Sequence, residues 1–127
     1  MSYLLDTCTF IWLLEDGKKL TKTAKNLIDQ KSDIFISDVT CLEICLKWKV
    51  KKIRLPKTPR LWFEEQVKSW DLINVSIDRE HFYRTSELAL YHKDPFDRLL
   101  ISQCLTEDLT LITPDCAFEK YPVSTVW

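Results

Sequence analysis

A length of 127 residues suits one domain, 1–127, that buries its own core without metal or disulfide staples. With 46% apolar and 29% charged residues the chain fits neither a disordered polymer nor a membrane protein, and apolar runs such as Phe10–Leu14 fall far short of the roughly 18 residues a membrane helix needs. A formal charge of −1 excludes attraction of a polyanion by the molecule as a whole, so local basic patches or bound cations would have to draw one in.

Tyr3–Leu5 is a short apolar run that predicts a buried strand. No basic start, long apolar stretch or cleavage site accompanies it, so no secretory signal is expected. Thr7–Leu14 predicts a helix stopped by Glu15-Asp16-Gly17. Gly17 is the single glycine, which excludes the P-loop and the dinucleotide fingerprint, since both need several glycines for close approach to phosphate. Thr21–Lys31 has Ala24, Leu27 and Ile28 at helical spacing behind a threonine cap. Ile34–Ser37 predicts a second strand, and Ser37/Asp38 cap a helix running to about Lys51.

Pro56 and Pro59 break the pattern before a helix over Leu61–Trp70. Leu72–Ser76 predicts a third strand and Asp78–Tyr91 the next helix. His92–Pro95 connects to a helix over Phe96–Leu105, Thr110–Thr113 is a fourth strand, and Ser124–Trp127 can form a fifth. Strands alternating with helices predict an α/β domain, a mostly parallel central sheet of four to five strands flanked by helices. Five cysteines, an odd number spread through apolar contexts, suit reduced thiols in a cytoplasm.

Ligands of open α/β sheets sit beyond the carboxyl ends of the strands. Asp6 follows the first strand, Asp38 the second, and Asp115 lies just past the fourth. Glu43 is about a turn into the helix fed by the second strand, and Asp94 and Asp97 open the helix before the fourth. Carboxylates gathered in one cleft repel each other unless cations lie between them. Hard oxygen ligands suit Mg2+ or Mn2+, which can activate water against a phosphodiester. Plainer roles compete at each position. Asp6 can cap a helix, Asp94-Pro95-Phe96-Asp97 makes a near-ideal helix start, and Asp115 after Pro114 suits a turn. Glu43, set among Val39, Leu42, Ile44 and Leu46, has the weakest plain role, because burying an unpaired charge is costly.

Leu4-Leu5-Asp6-Thr7, Ser37 to Glu43-Ile44 with Lys47 following, His92-Lys93-Asp94-Pro95-Phe96-Asp97-Arg98-Leu99-Leu100-Ile101-Ser102-Gln103, and Thr113-Pro114-Asp115 resemble the motif series of VapC-like PIN-domain toxins. The likeness covers essentially the whole chain, to Tyr121-Pro122-Val123 and Trp127. It implies a parallel-sheet PIN fold, a dependence on Mg2+ or Mn2+, endoribonuclease activity on RNA, a homodimer and a neutralising antitoxin protein. By that resemblance Asp6, Glu43 and Asp97 match the three metal-binding acids and Asp115 the more variable fourth. Asp94 then serves as a cap or an outer group, Thr113 as a partner to metal-bound water, and Arg98 as a contact to phosphate or a neighbouring carboxylate. Cys8 and Cys104 depart from the usual residues at their positions without touching the acids.

Lys47 to Arg54 carries five positive charges around Trp48, a conceivable RNA edge or a solvated helix face. The resemblance implies that this middle helical region grips the antitoxin. Cys41 and Cys45 lie one helical turn apart but lack two further ligands for zinc, which favours packing. His92 adjoins the acidic block and can contact substrate or simply pack in the loop. Three other functions fit the acids alone. An aspartyl phosphotransferase would want a second carboxylate two residues after Asp6, where Cys8 stands. A non-catalytic Mg2+-binding receiver has no use for Glu43, and a DNA nuclease differs only in substrate.

Overall fold

In chain order the elements of the computed structural model, which describes residues 1–15, 17–30 and 33–127, are β1 (Ser2–Leu5), α1 (Thr7–Glu15), α2 (Lys22–Asp29), β2 (Asp33–Ser37), α3 (Asp38–Lys49), α4 (Pro59–Ser69), β3 (Ile73–Val75), α5 (Arg79–Glu87), α6 (Pro95–Glu107), β4 (Thr110–Ile112), a 3-10 helix (Cys116–Lys120) and β5 (Thr125–Val126). The strands form one sheet in the order β3-β2-β1-β4-β5. Every neighbouring pair is parallel. Parallel neighbours need crossovers, and the helices between strands supply them on both faces.

That burial on two faces explains why β1 is an unbroken apolar run and not an alternating one. Tyr3 and Leu5 join a core with Phe10, Ile44, Trp62 and Phe63. Leu4 points the other way, into a core with Leu100, Ile101, Leu111 and Phe118. Successive strand residues face opposite sides of a sheet, so one short strand anchors both cores. At the edge, β3 keeps only Val75 buried.

The helix starts follow their capping residues. Thr21 accepts from the Ala24 N–H and Ser37 from the Val39 N–H, as expected. Ser37 also donates to Gln103 Oε1, tying the end of β2 to α6. Of the expected bounds, Lys31 and Asp16 lie outside the described residues. The helix expected over Asp78–Tyr91 ends at Glu87, about a turn early. Its final carbonyls and the chain beyond it turn instead to Arg98, which takes Thr85 O at 2.7 Å, Leu88 O at 3.2 Å and Ala89 O at 2.8 Å.

Candidate active site

The parallel sheet gathers the acids at its carboxyl edge. Asp6 is the first residue past β1, Asp115 stands just past β4, Glu43 rides on the helix fed by β2, and Asp97 lies in the first turn of α6. Asp6, Glu43, Asp94, Asp97 and Asp115 line one cleft of about 320 Å³. Asp38 does not join them; it heads α3 away from the cleft lining.

Asp6 is 5% exposed and held at both oxygens. Oδ1 accepts the Thr9 N–H at 2.7 Å, and Oδ2 accepts the Thr113 hydroxyl at 2.5 Å. The capping and site roles therefore coincide in one residue, since each carboxylate oxygen can accept more than one bond. Burial raises the Asp6 pKa above the carboxylate range; the bonds from Thr113 and Thr9 oppose it. Thr113 is thus a clamp on Asp6, and its oxygen in turn accepts the Asp115 N–H at 3.1 Å.

Glu43 is 7% exposed. Its Oε2 meets Lys47 Nζ at 2.7 Å, whereas Oε1 is buried with no hydrogen-bond partner among the described residues. An orphaned carboxylate oxygen facing other carboxylates costs energy unless a cation joins it. Asp97 tells the same story from its proton. Burial first, and Asp94 next, push its pKa up to about 7, against His92, with Glu43 and Asp6 adding to the rise. A set of hard oxygens, one orphaned and two reluctant to ionise, fits a divalent cation such as Mg2+ or Mn2+.

Asp94 is the N-cap of α6, its Oδ1 taking the Phe96 N–H at 2.9 Å, while Asp115 caps the 3-10 helix through Ala117. Both still border the cleft. Arg98 corrects an expectation. Arg98 is buried, does not line the cleft and meets no carboxylate among the described residues. It donates to the carbonyls of Thr85, Leu88, Ala89 and His92 and to the Tyr121 hydroxyl. Adjacent residues on a helix point about 100° apart, so a place beside Asp97 does not aim Arg98 at the same cleft.

The cleft lining goes beyond the expected acids. Lys47 was visible one turn after Glu43, and a spacing of four puts the pair on one helix face. Trp12 lines the cleft with Lys19 Nζ 5.2 Å from its ring centroid; its burial, not its sequence context, reveals it. Cys8 also lines the cleft, but partial burial and nearby Asp6 push its thiol up to about 11, so it stays protonated near neutrality.

No curated protein is similar enough in sequence to count as a relative. Among solved structures, VapBC2 from Rickettsia felis bound to a DNA fragment from its promoter matches with a TM-score of 0.73 and 19% identity, over 99% of this chain and 98% of that one. DNA-bound VapBC from Salmonella typhimurium matches with a TM-score of 0.73 and 19% identity, covering 99% and 97%. A toxin–antitoxin complex from Klebsiella pneumoniae matches with a TM-score of 0.67 and 19% identity, covering 98% and 96%. At such identities these neighbours speak for the fold. The family model of the PIN domain matches residues 3–123. Because that match spans nearly the whole sequence, from the strand before Asp6 to the segment after the 3-10 helix, the chain belongs to the PIN domain family.

Proposed function

We propose that the chain is a divalent-metal-dependent endoribonuclease, the toxin half of a toxin–antitoxin pair, acting in the reducing cytoplasm. The observation that carries the reading is the buried, partnerless Glu43 Oε1 in a cleft shared with Asp6, Asp97 and Asp115. Those four acids would hold Mg2+ or Mn2+, with Asp94 at the border. A bound ion of this kind supplies activated water and charge neutralisation for phosphodiester hydrolysis. The chain's own part is to fix the ligands. Thr9 and Thr113 hold the Asp6 carboxylate, and Lys47 holds Glu43 and offers an ammonium to a phosphate entering the cleft. The protein partner is supported by the solved neighbours, which include toxin–antitoxin complexes. A groove of about 740 Å³ bounded by Cys41, Leu46, Trp48 and Phe63 on α3 and α4 would take it. Five free thiols support the compartment.

An aspartyl phosphotransfer reading is disfavoured, because Asp6 is buried and tethered at both oxygens. The test is cleavage of single-stranded RNA with Mg2+ or Mn2+, beside an EDTA control and a single-stranded DNA arm. Wild type should cut RNA only with metal, and Asp6→Asn should lose activity at least about 100-fold while staying folded, because it removes a charged ligand. Cleavage that survives chelation would defeat the mechanism, and a preference for DNA would reassign the substrate.

A further inference from the structure

We infer that a single-stranded RNA leaves the cleft over α1, with one base lying on the Trp12 ring and the next phosphates meeting Lys52 and Arg54. The spacing of α1 makes that wall. Thr9, Phe10 and Leu13 are buried, whereas Cys8, Ile11 and Trp12 line the cleft. Positions i, i+3 and i+4 share one face of a helix, so α1 offers the cleft an uncharged and mainly apolar surface. The acids stand elsewhere, Asp94 and Asp97 at the start of α6 and Asp115 past β4. Charge in the cleft is therefore uneven. A polyanion is repelled from the α6 side and drawn toward α1 and α3, where Lys47 lines the cleft.

Trp12 is only partly buried, unlike Phe10 on the same helix, which has no exposed surface. Lys19 Nζ stands over its ring, 5.2 Å from the centroid. A face of the indole is thus reached from outside, by an exposed side chain that can swing aside. Trp127 braces the ring from a second element, with centroids 5.9 Å apart and planes at 60°. A base that takes the place of the ammonium keeps the π contact, and the displaced Lys19 is then free to pair with a phosphate of the same strand.

Ile11 shows where the strand goes next, because it belongs to two hollows. Besides the cleft it lines a hollow of about 430 Å³ with Lys52, Arg54 and Trp62, in which Glu15 is the one acid among the lining residues. Arg54 and Leu55 continue into a further hollow that holds Lys49 and Lys51. Lys52 and Arg54 are exposed, and neither is paired with an acid among the described residues. An aromatic face followed by a line of unpaired cations fits a nucleotide strand, whose bases stack while its phosphates pair. It also supplies locally the attraction that a formal charge of −1 denies to the whole molecule.

This inference rests on the RNA reading above, and its test separates the two. Fluorescence anisotropy reads the binding of a labelled uridine dodecamer over a series of salt concentrations. Every protein compared carries Asp6→Asn, so that the RNA stays intact. Trp12→Leu keeps apolar bulk but removes the π face, and should weaken binding about tenfold; Trp12→Phe should recover most of the loss. The surface pair Lys52→Gln and Arg54→Gln should flatten the slope of log affinity against log salt by about 1.4, or about 0.7 for each phosphate. Affinity in Trp12→Leu within about twofold of the parent, an equal loss in Trp12→Phe, or an unchanged salt slope in the double variant would overturn the path. If wild type cuts RNA all the same, the RNA reading survives that result. A parent that binds no RNA, beside a wild type that cuts none, would overturn the RNA reading and this inference with it.

Discussion

Asp97 is the residue at which the electrostatics of the cleft can be measured. An unfolded Asp titrates near about 3.9, whereas in the fold burial and the neighbouring acids hold Asp97 at about 7. The folded state therefore keeps the proton across that interval. Protonated Asp97 contributes stability that is fully present below about pH 4 and lost as pH rises through about 7. Metal-free wild type, compared with Asp97→Asn, should lose melting temperature between those limits, and Mg2+ should return much of the loss near pH 8. Thermal scans across the range check this; a difference between the two proteins that stays flat with pH would contradict it. Arg98 makes a contrasting case, because its role is mechanical. Arg98→Lys keeps the charge but not the fork that reaches five acceptors. Leaving several of them unmet should cost about 3 kcal/mol or more, a fall of roughly 10 °C in a scan. A shift within about 2 °C would show that water replaces the guanidinium easily. The places of the acids were legible because Asp6 and Asp115 follow strands and Glu43 and Asp97 ride early in capped helices, both of which a sequence shows. The aim of Arg98 was not, since four of its five partners are backbone carbonyls brought up by the end of α5 and the irregular chain after it.

Among elements, the long helices were the clearest to foresee. α3 and α6 lie within about two residues of expectation, within the usual uncertainty of helix ends, because caps and apolar spacing agree there. The 3-10 helix was invisible; five residues at three per turn are too few to show a period. α5 was read too long because the apolar residues Leu88, Leu90 and Tyr91 continue past its last turn, where Leu88 has already become extended. α3 shows a different kind of strain at its end. The Lys52 N–H returns to Lys47 O at 2.8 Å and the Lys51 N–H to Trp48 O at 3.1 Å, with Lys51 at φ 63. That is the left-handed closing turn that glycine fills most easily. Lys51→Gly should therefore raise stability by about 0.5–1 kcal/mol despite its cost to the unfolded chain. Chemical denaturation would show it, and a loss of stability would mean that the lysine makes contacts worth more than its backbone strain.

At the scale of the molecule, the surface is less self-contained than the sheet. Phe82, Leu90 and Tyr91 are 46%, 77% and 60% exposed. Phe82 and Leu90 edge a hollow of about 530 Å³ beside α5 and α6. Large exposed apolar side chains of this kind favour interfaces. We expect a second copy to cover this face, so that sedimentation finds a dimer at micromolar concentration and Leu90→Glu shifts it to monomer. A monomeric wild type would remove the homodimer from the reading. Fold class was legible at this scale because alternating strands and helices allow few architectures. Strand order was not, because periodicity within a segment carries no information about which strands become neighbours.

The central position of β1 has a consequence in time. Its two neighbours are β2 and β4, and the clamp on Asp6 comes from Thr113, 107 positions further along. A chain made from its amino end can pair β1 with β2 early, but it has no closed cleft until residues 110–115 have emerged and docked. Parallel pairing over such distances is slow, because the loop must close before its contacts form. Every molecule would thus pass through a stage during synthesis with α3 and α4 already outside the ribosome and the acids still apart. On the function proposed above, a partner that binds those helices would arrive before the cleft has closed.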